Sequence, residues 1–130
     1  MCAISPTSVT NMGPGHPSIL CVDDSQEILF ICRTVLEAEG YQVFTAASAA
    51  AALEMLQMHS VAAAVIDNVM PGMSGIALAR EIKRIASDVR VILFSSLERP
   101  DEIVPFIDSY LSKGQGPLAL RKLIGSLLHK

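Results

Sequence analysis

The chain has no basic excess, no long apolar run and no paired set of cysteines, and each absence removes a class of function. With 10 Lys and Arg against 13 Asp and Glu, the net charge is −3 and the isoelectric point near 5.5. That leaves no electrostatic footprint for nucleic acid or for an anionic membrane surface. No apolar stretch approaches the ~18 residues of a membrane-spanning helix, and the N-terminus lacks the charged and apolar regions of a signal peptide. The cysteines, Cys2, Cys21 and Cys32, are odd in number and show no metal-ligand spacing. Cys21 lies in an apolar run and Cys32 on an apolar helical face, so buried free thiols in a reducing, cytoplasmic compartment are expected. Internal repeats are also missing. What remains, 130 residues of which 51% are hydrophobic and 18% charged, suffices for one domain with its own core.

The stretch from Asp67 to Gly75 organises the rest. It follows the apolar run Val61-Ala62-Ala63-Ala64-Val65-Ile66, short enough for a buried strand. An Asp after such a run falls at the exposed C-terminal end of the strand. Pro71-Gly72 forces a turn, and a helical pattern starts near Gly75. In an open parallel α/β sheet, ligands and chemistry collect at strand C-termini.

The remaining chain repeats that alternation. Residues 1–17, rich in Ser, Thr, Pro and Gly, read as a flexible extension, and residues 18–130 as one domain. Ser18 to Val22 forms a first strand ending in Asp23-Asp24. Ser25 caps a helix to about Glu39, with Gly40 ending it. Gln42 to Thr45 is a second strand, and Ser48 caps a helix from Ala49 to about Met58. A third helix spans Gly75 to Ala86, a fourth strand Val89 to Phe94, and a short fifth strand Ser109 to Ser112. Between the last two strands, Pro100 and Pro105 shorten or distort whatever helix forms there. Pro117 opens the final helix, to about Leu128. The expected architecture is a five-stranded parallel sheet, doubly wound as (βα)5, with right-handed crossovers and helices on both faces.

In that fold, Asp23 and Asp24 follow the first strand, Asp67 the third, Ser95 the fourth and Lys113 the fifth. Singly each has an ordinary reading as a cap, a turn residue or a solvated charge; together they converge on one edge of the sheet. Three carboxylates held together call for a hard, oxygen-liganded cation such as Mg²⁺. A hydroxyl and a lysine beside them complete a site for a transferred phosphoryl group.

The combination Val22-Asp23-Asp24, Asp67 with Met70-Pro71-Gly72-Met73-Ser74-Gly75, Ser95 after Val91-Ile92-Leu93-Phe94, and Tyr110-Leu111-Ser112-Lys113 resembles the receiver domain of bacterial two-component response regulators, the CheY-like fold. The resemblance covers residues 18–130. It implies that Asp67 is the phosphorylated aspartate, that Asp23, Asp24, Asp67 and the backbone carbonyl of Val69 hold Mg²⁺, that Ser95 is the switch hydroxyl and Lys113 the phosphate-contacting lysine, and that the rotamer of Tyr110 reports the switch. The implied partners are a sensor histidine kinase or histidine phosphotransfer protein and a downstream protein target, with a homodimer through the fourth helix, fifth strand and fifth helix as a further possibility. With no output domain within the sequence, a stand-alone receiver, not an enzyme, is expected.

The chain departs from the family's pattern at three places. Gly114 replaces the usual proline after Lys113, so Gly114-Gln115-Gly116 is expected to be mobile. The segment between Ser95 and Lys113 is about one helical turn short, with Phe106-Ile107 where Gly-Ala is common. Val69 and Leu97 are apolar at the two positions that tune access of water to the phosphoryl group, so slow self-dephosphorylation is expected. A phosphorylation-independent binding module of the same fold is the alternative. An aspartate-nucleophile phosphatase of the haloacid-dehalogenase type lacks its second acid, because that position is Val69. Flavin phosphate would be repelled by the acidic first loop.

Overall fold

The computed structural model describes residues 17–96 and 105–128. Five parallel strands form a single sheet: β1 (Ser18–Val22), β2 (Gln42–Ala46), β3 (Ala63–Ile66), β4 (Arg90–Ser95) and β5 (Ser109–Ser112), in the order β2-β1-β3-β4-β5. Four helices are present among the described residues: α1 (Gln26–Glu37), α2 (Ala49–Met58), α3 (Gly75–Ile85) and α4 (Pro117–Leu128). Here α4 is the element expected from the sequence as the fifth helix. The shortened fourth helix anticipated between β4 and β5 falls largely on residues 97–104, outside the described residues, as does the extension over residues 1–16.

Each face of the sheet has its own core. Leu29, Cys32 and Leu36 of α1 and Leu120 and Ile124 of α4 close over Ile19, Cys21, Val43, Val65, Ile92 and Phe94. On the opposite face, Ala49 and Ala52 of α2 with Leu78, Ala79 and Ile82 of α3 cover Leu20, Val22, Ala64, Ile66, Val91 and Leu93. The central strands are buried on both faces, which is why they read as continuous apolar runs. The chain steps from β1 outward to β2, then back past β1 to β3. The crevice at the carboxyl ends of β1 and β3 is therefore the topological switch point.

Local sequence sets the helix starts. The hydroxyls of Ser25, Ser48 and Ser74 accept hydrogen bonds from the backbone N–H groups of Ile28, Ala51 and Ala77. Helix α1 stops two residues before the expected Glu39, because the N–H groups of Glu39 and Gly40 turn back to Leu36 and Glu37, and Gly40 takes φ 94°. Lys113–Gln115 is a single 3₁₀ turn, with Ser112 Oγ accepting from the Gly114 N–H at 3.1 Å and Gly116 at φ 88°. A serine cap and a left-handed glycine shape this turn.

At the N-terminal edge of the sheet, away from the switch point, Asp108 gathers four partners. Its carboxylate accepts from Lys83 Nζ at 2.8 Å and the Val91 N–H at 2.7 Å, with Arg90 at 3.7 Å, while its own N–H donates to the Val91 carbonyl. Burial pushes the Asp108 carboxyl up, but the Lys83 bond, the Val91 N–H and the positive charges of Lys83 and Arg90 outweigh it and hold the group below the usual carboxylate range. A depressed carboxyl stabilises the fold above its unfolded-state pKa, ~3.9, and that contribution disappears as pH falls through the folded-state value. Asp108→Ala is expected to cost about 1–2 kcal/mol at pH 7 after allowance for partial exposure. Urea denaturation at pH 7 and below pH 3 should show the difference at the first and its near-disappearance at the second. An equal loss at both would show that the clamp acts by packing alone.

Candidate functional site

Strand alternation assembles the site. Cys21, Val65 and Leu111 face α1 and α4, and the next residue on the same face of each strand, two positions on, is Asp23, Asp67 and Lys113. The ladder continues past the strand ends, with the Asp23 N–H donating to the Ala46 carbonyl and the Asp67 N–H to the Val22 carbonyl. Asp23 and Asp67 are buried although charged, and Asp24 is exposed. One oxygen from each of Asp23, Asp24 and Asp67 lies within 4.8 Å of the others.

Lys113 closes the cluster. Its Nζ donates to Asp23 Oδ2 at 2.7 Å and stands 3.3 Å from Asp67 Oδ1. Asp23 Oδ1 meanwhile accepts the Ser25 N–H at 2.9 Å, so the same carboxylate shapes the turn into α1. Burial, then the charge of Asp23, push the Asp67 carboxyl above the ordinary range, against Lys113 and a hydrogen bond from the Val69 N–H. Burial disfavours the Lys113 charge, yet the bond to Asp23 and the charges of both carboxylates hold its ammonium above its usual value.

The loop after Asp67 depends on a close backbone approach. Gly72 has φ 88°, and the Gly75 N–H donates to the Asn68 carbonyl at 2.9 Å. A Cβ on Gly75 would lie 2.7 Å from Asn68 Cα and collide with the Asp67 carbonyl oxygen. The sequence contains this glycine in its motif but gives no sign that it abuts the backbone of Asp67. Val69 is 58% exposed beside the site.

Ser95 is buried at the end of β4. Register pairs Leu93 with Tyr110 and Ser95 with Ser112. Because alternate positions of a strand share a face, Ser95 and Tyr110 lie on the same side of the sheet, toward α2 and α3. Tyr110 is half-buried against the core on that side. Asp23, Asp24, Asp67 and Lys113 thus meet directly, and Ser95 and Tyr110 line the neighbouring strands. Also beneath the acids are the two buried thiols of Cys21 and Cys32. The Cys21 thiol is held well above its ordinary value by its hydrogen bond to Cys32 and by burial.

An open doubly wound sheet with an acidic triad and a lysine at its switch point defines a receiver module. The model of the response regulator receiver domain matches residues 19–124, and the chain belongs to that family. It is similar to the response regulator SaeR of Staphylococcus aureus, 32% identical over 114 residues; the match covers 85% of this chain, which spans about half (50%) of that relative's length. Among solved structures, it is similar to the response regulator TrrA of Thermotoga maritima in complex with Mg²⁺ and BeF, at 29% identity and TM-score 0.79, covering 85% of this chain and 98% of the other. A CheY-like receiver domain from Methanospirillum hungatei gives 28% identity and TM-score 0.81 over 88% of this chain and 94% of the other. The chain is thus a receiver domain of two-component systems with an acidic pocket. Such domains are signalling modules rather than classical enzymes, and they interact with histidine kinases or phosphotransfer proteins and with effectors. The three carboxylates fit Mg²⁺, a hard ion that binds through one or more carboxylates and keeps several waters. Among the described residues, no helix is long and apolar enough to cross a membrane.

Proposed function

We propose that the domain accepts a phosphoryl group on Asp67 from a histidine kinase or histidine phosphotransfer protein, in a reaction that requires Mg²⁺, and signals by a change of partner-binding surface. The observation that carries this reading is the buried Asp67 carboxylate, with Asp23 beside it and Lys113 Nζ at 3.3 Å. Asp23, Asp24, Asp67 and the Val69 carbonyl would hold the ion, which when bound neutralises charge on the transferred phosphoryl oxygens.

The chain's own groups do the rest. An Asp67 carboxylate oxygen attacks phosphorus while the bond to the donor's imidazole nitrogen breaks. Lys113 exchanges its Asp23 contact for a phosphoryl oxygen. The Ser95 hydroxyl donates to another phosphoryl oxygen, and Tyr110, on the same face of the next strand, turns into the space that Ser95 leaves. The altered surface, spanning the segment before β5, β5 and α4, would take the downstream target or a second copy. Stand-alone action and a cytoplasmic location belong to the same proposal.

The test is intact mass after incubation with Mg²⁺ and acetyl phosphate, with Asp67→Asn and a chelator as controls. A gain of one phosphoryl group, lost in both controls, is expected. No gain on folded protein would replace this reading with the phosphorylation-independent binding module. The Asn variant supplies its own folding control. Asp67's carboxyl is raised in the folded state, so its ionisation opposes folding above the folded-state value, and that penalty is absent below the unfolded-state one. At pH 7, Asp67→Asn should therefore melt above the unmodified protein.

A further inference from the structure

We propose that Ser112 is a positioning residue for the acidic site: its hydroxyl holds the turn from which Lys113 reaches the carboxylates. The ladder of β5 ends at Ser112, which pairs with Ser95 of β4. Lys113 comes next, so its backbone lies past the last paired position, yet its ammonium meets Asp23 at 2.7 Å and stands 3.3 Å from Asp67. A flexible four-carbon stem carries that ammonium, and the direction of the Lys113 backbone sets where the stem starts.

Composition alone would leave that direction loose. Gly114 and Gly116 flank Gln115, and glycine loses more conformational freedom on ordering than any other residue. Two hydrogen bonds offset this. Ser112 keeps an extended backbone, with φ −77° and ψ 136°, and its Oγ accepts from the Gly114 N–H at 3.1 Å, as an N-cap does. The Lys113 carbonyl accepts from the Gly116 N–H, also at 3.1 Å, and Gly116, at φ 88°, sends the chain into α4. The first bond ties the residue before Lys113 to the residue after it, so it spans the lysine. It is also the one made by a side chain, and a substitution can remove it without altering the backbone. Ser112 thus acts through Lys113 and not on the reacting atoms.

The experiment is a double-mutant cycle on the full chain: Ser112→Ala, Lys113→Ala and the two together, with Ser112→Thr as the conservative variant. Loss of one cap bond lowers the weight of the ordered turn about fivefold. A loosened lysine leaves Asp23 and Asp67 freer for a cation and is slower to meet the phosphoryl oxygens. Ser112→Ala should therefore bind Mg²⁺ about threefold more tightly, by calorimetric titration, and accept phosphate from acetyl phosphate about fivefold more slowly. Ser112→Thr keeps an acceptor oxygen and should restore both. In the Lys113→Ala background the serine substitution should change neither, because no ammonium is left to aim. A merely structural serine would shift both backgrounds alike, and that result would overturn the proposal. The rate rests on the phosphoryl-transfer reading; amide exchange at Gly114, measured without metal or phosphate, does not. Uptake of no phosphate by the parent chain would sink that reading, while Mg²⁺ affinity and exchange would still decide about Ser112. Exchange at Gly114 should be slow in the parent and in Ser112→Thr and faster in Ser112→Ala. Exchange that Ser112→Ala leaves unchanged would also overturn the proposal.

Discussion

Lys113→Ala is expected to bind Mg²⁺ about tenfold more tightly than the parent chain and to accept phosphate about a hundredfold more slowly. The two effects have opposite signs because the ammonium has two successive partners. Before modification it donates to Asp23 at 2.7 Å and stands 3.3 Å from Asp67, and its side chain is 19% exposed. It therefore occupies charge that a cation would otherwise neutralise. A charge-assisted bond of this kind contributes about 1.5–3 kcal/mol, and a divalent ion must displace it. Alanine leaves the carboxylates repelling one another, which favours the ion further. In the proposed transfer the same ammonium would stabilise charge on the phosphoryl oxygens, and removal of one such donor costs on the order of 10²–10³ in rate. Calorimetric titration with Mg²⁺ measures the first effect, and the time course of intact mass with acetyl phosphate the second. Weaker Mg²⁺ binding in the variant would show that Lys113 organises the carboxylates rather than competing for them.

Gly75→Ala should destabilise the fold by about 2–4 kcal/mol and slow phosphorylation as well. The added methyl would meet Asn68 Cα at 2.7 Å and overlap the Asp67 carbonyl oxygen. Both are backbone atoms at the end of β3, and neither can swing aside as a side chain would. Relief must come from moving α3 away or from moving Asp67 itself, and either disturbs the residue proposed to accept phosphate. Gly125, in α4, is the matched comparison: a methyl there meets nothing within 4 Å. Gly125→Ala should be neutral or stabilising, by about 0.5–1 kcal/mol. Urea denaturation of the pair gives the contrast. Equal stabilities would mean that the β3–α3 loop relaxes around the methyl group.

Much of this was legible in the sequence because strand ends and polar residues coincide. Asp23, Asp67 and Lys113 each follow a short apolar run, and period-two alternation carries all three to one face. Serine at the start of α1 and α2 announced those helices, whereas the matching cap at Ser74 emerges only in the structure. Contacts at long range were not legible. That Lys113 bonds to Asp23, ninety residues away, rather than to water depends on how far a flexible four-carbon stem reaches once β5 is in register. That Gly75 touches the backbone of Asp67 depends on the path of a loop, not on composition. The 3₁₀ turn at Lys113–Gln115 rests on Ser112 as a cap, a role not evident from its place at the end of a strand. The early stop of α1 was missed for the same kind of reason, since Glu39 has the propensity to continue and the burial of Tyr41 decides otherwise.

The clamp around Asp108 gives β5 a fixed end. Asp108 immediately precedes the strand and is tied to α3 through Lys83 and to β4 through Val91, whereas the Lys113 side chain, at the far end, reaches the acids. With β5 also paired to β4 from Ser109 to Ser112, a pull on Lys113 would reach Ser95, the partner of Ser112, before it reached the clamped end. Tyr110, paired with Leu93 between those two ends, lies on the same face as Ser95. The pole of the molecule opposite the acids thus anchors the strand that carries Tyr110 and leads into Lys113.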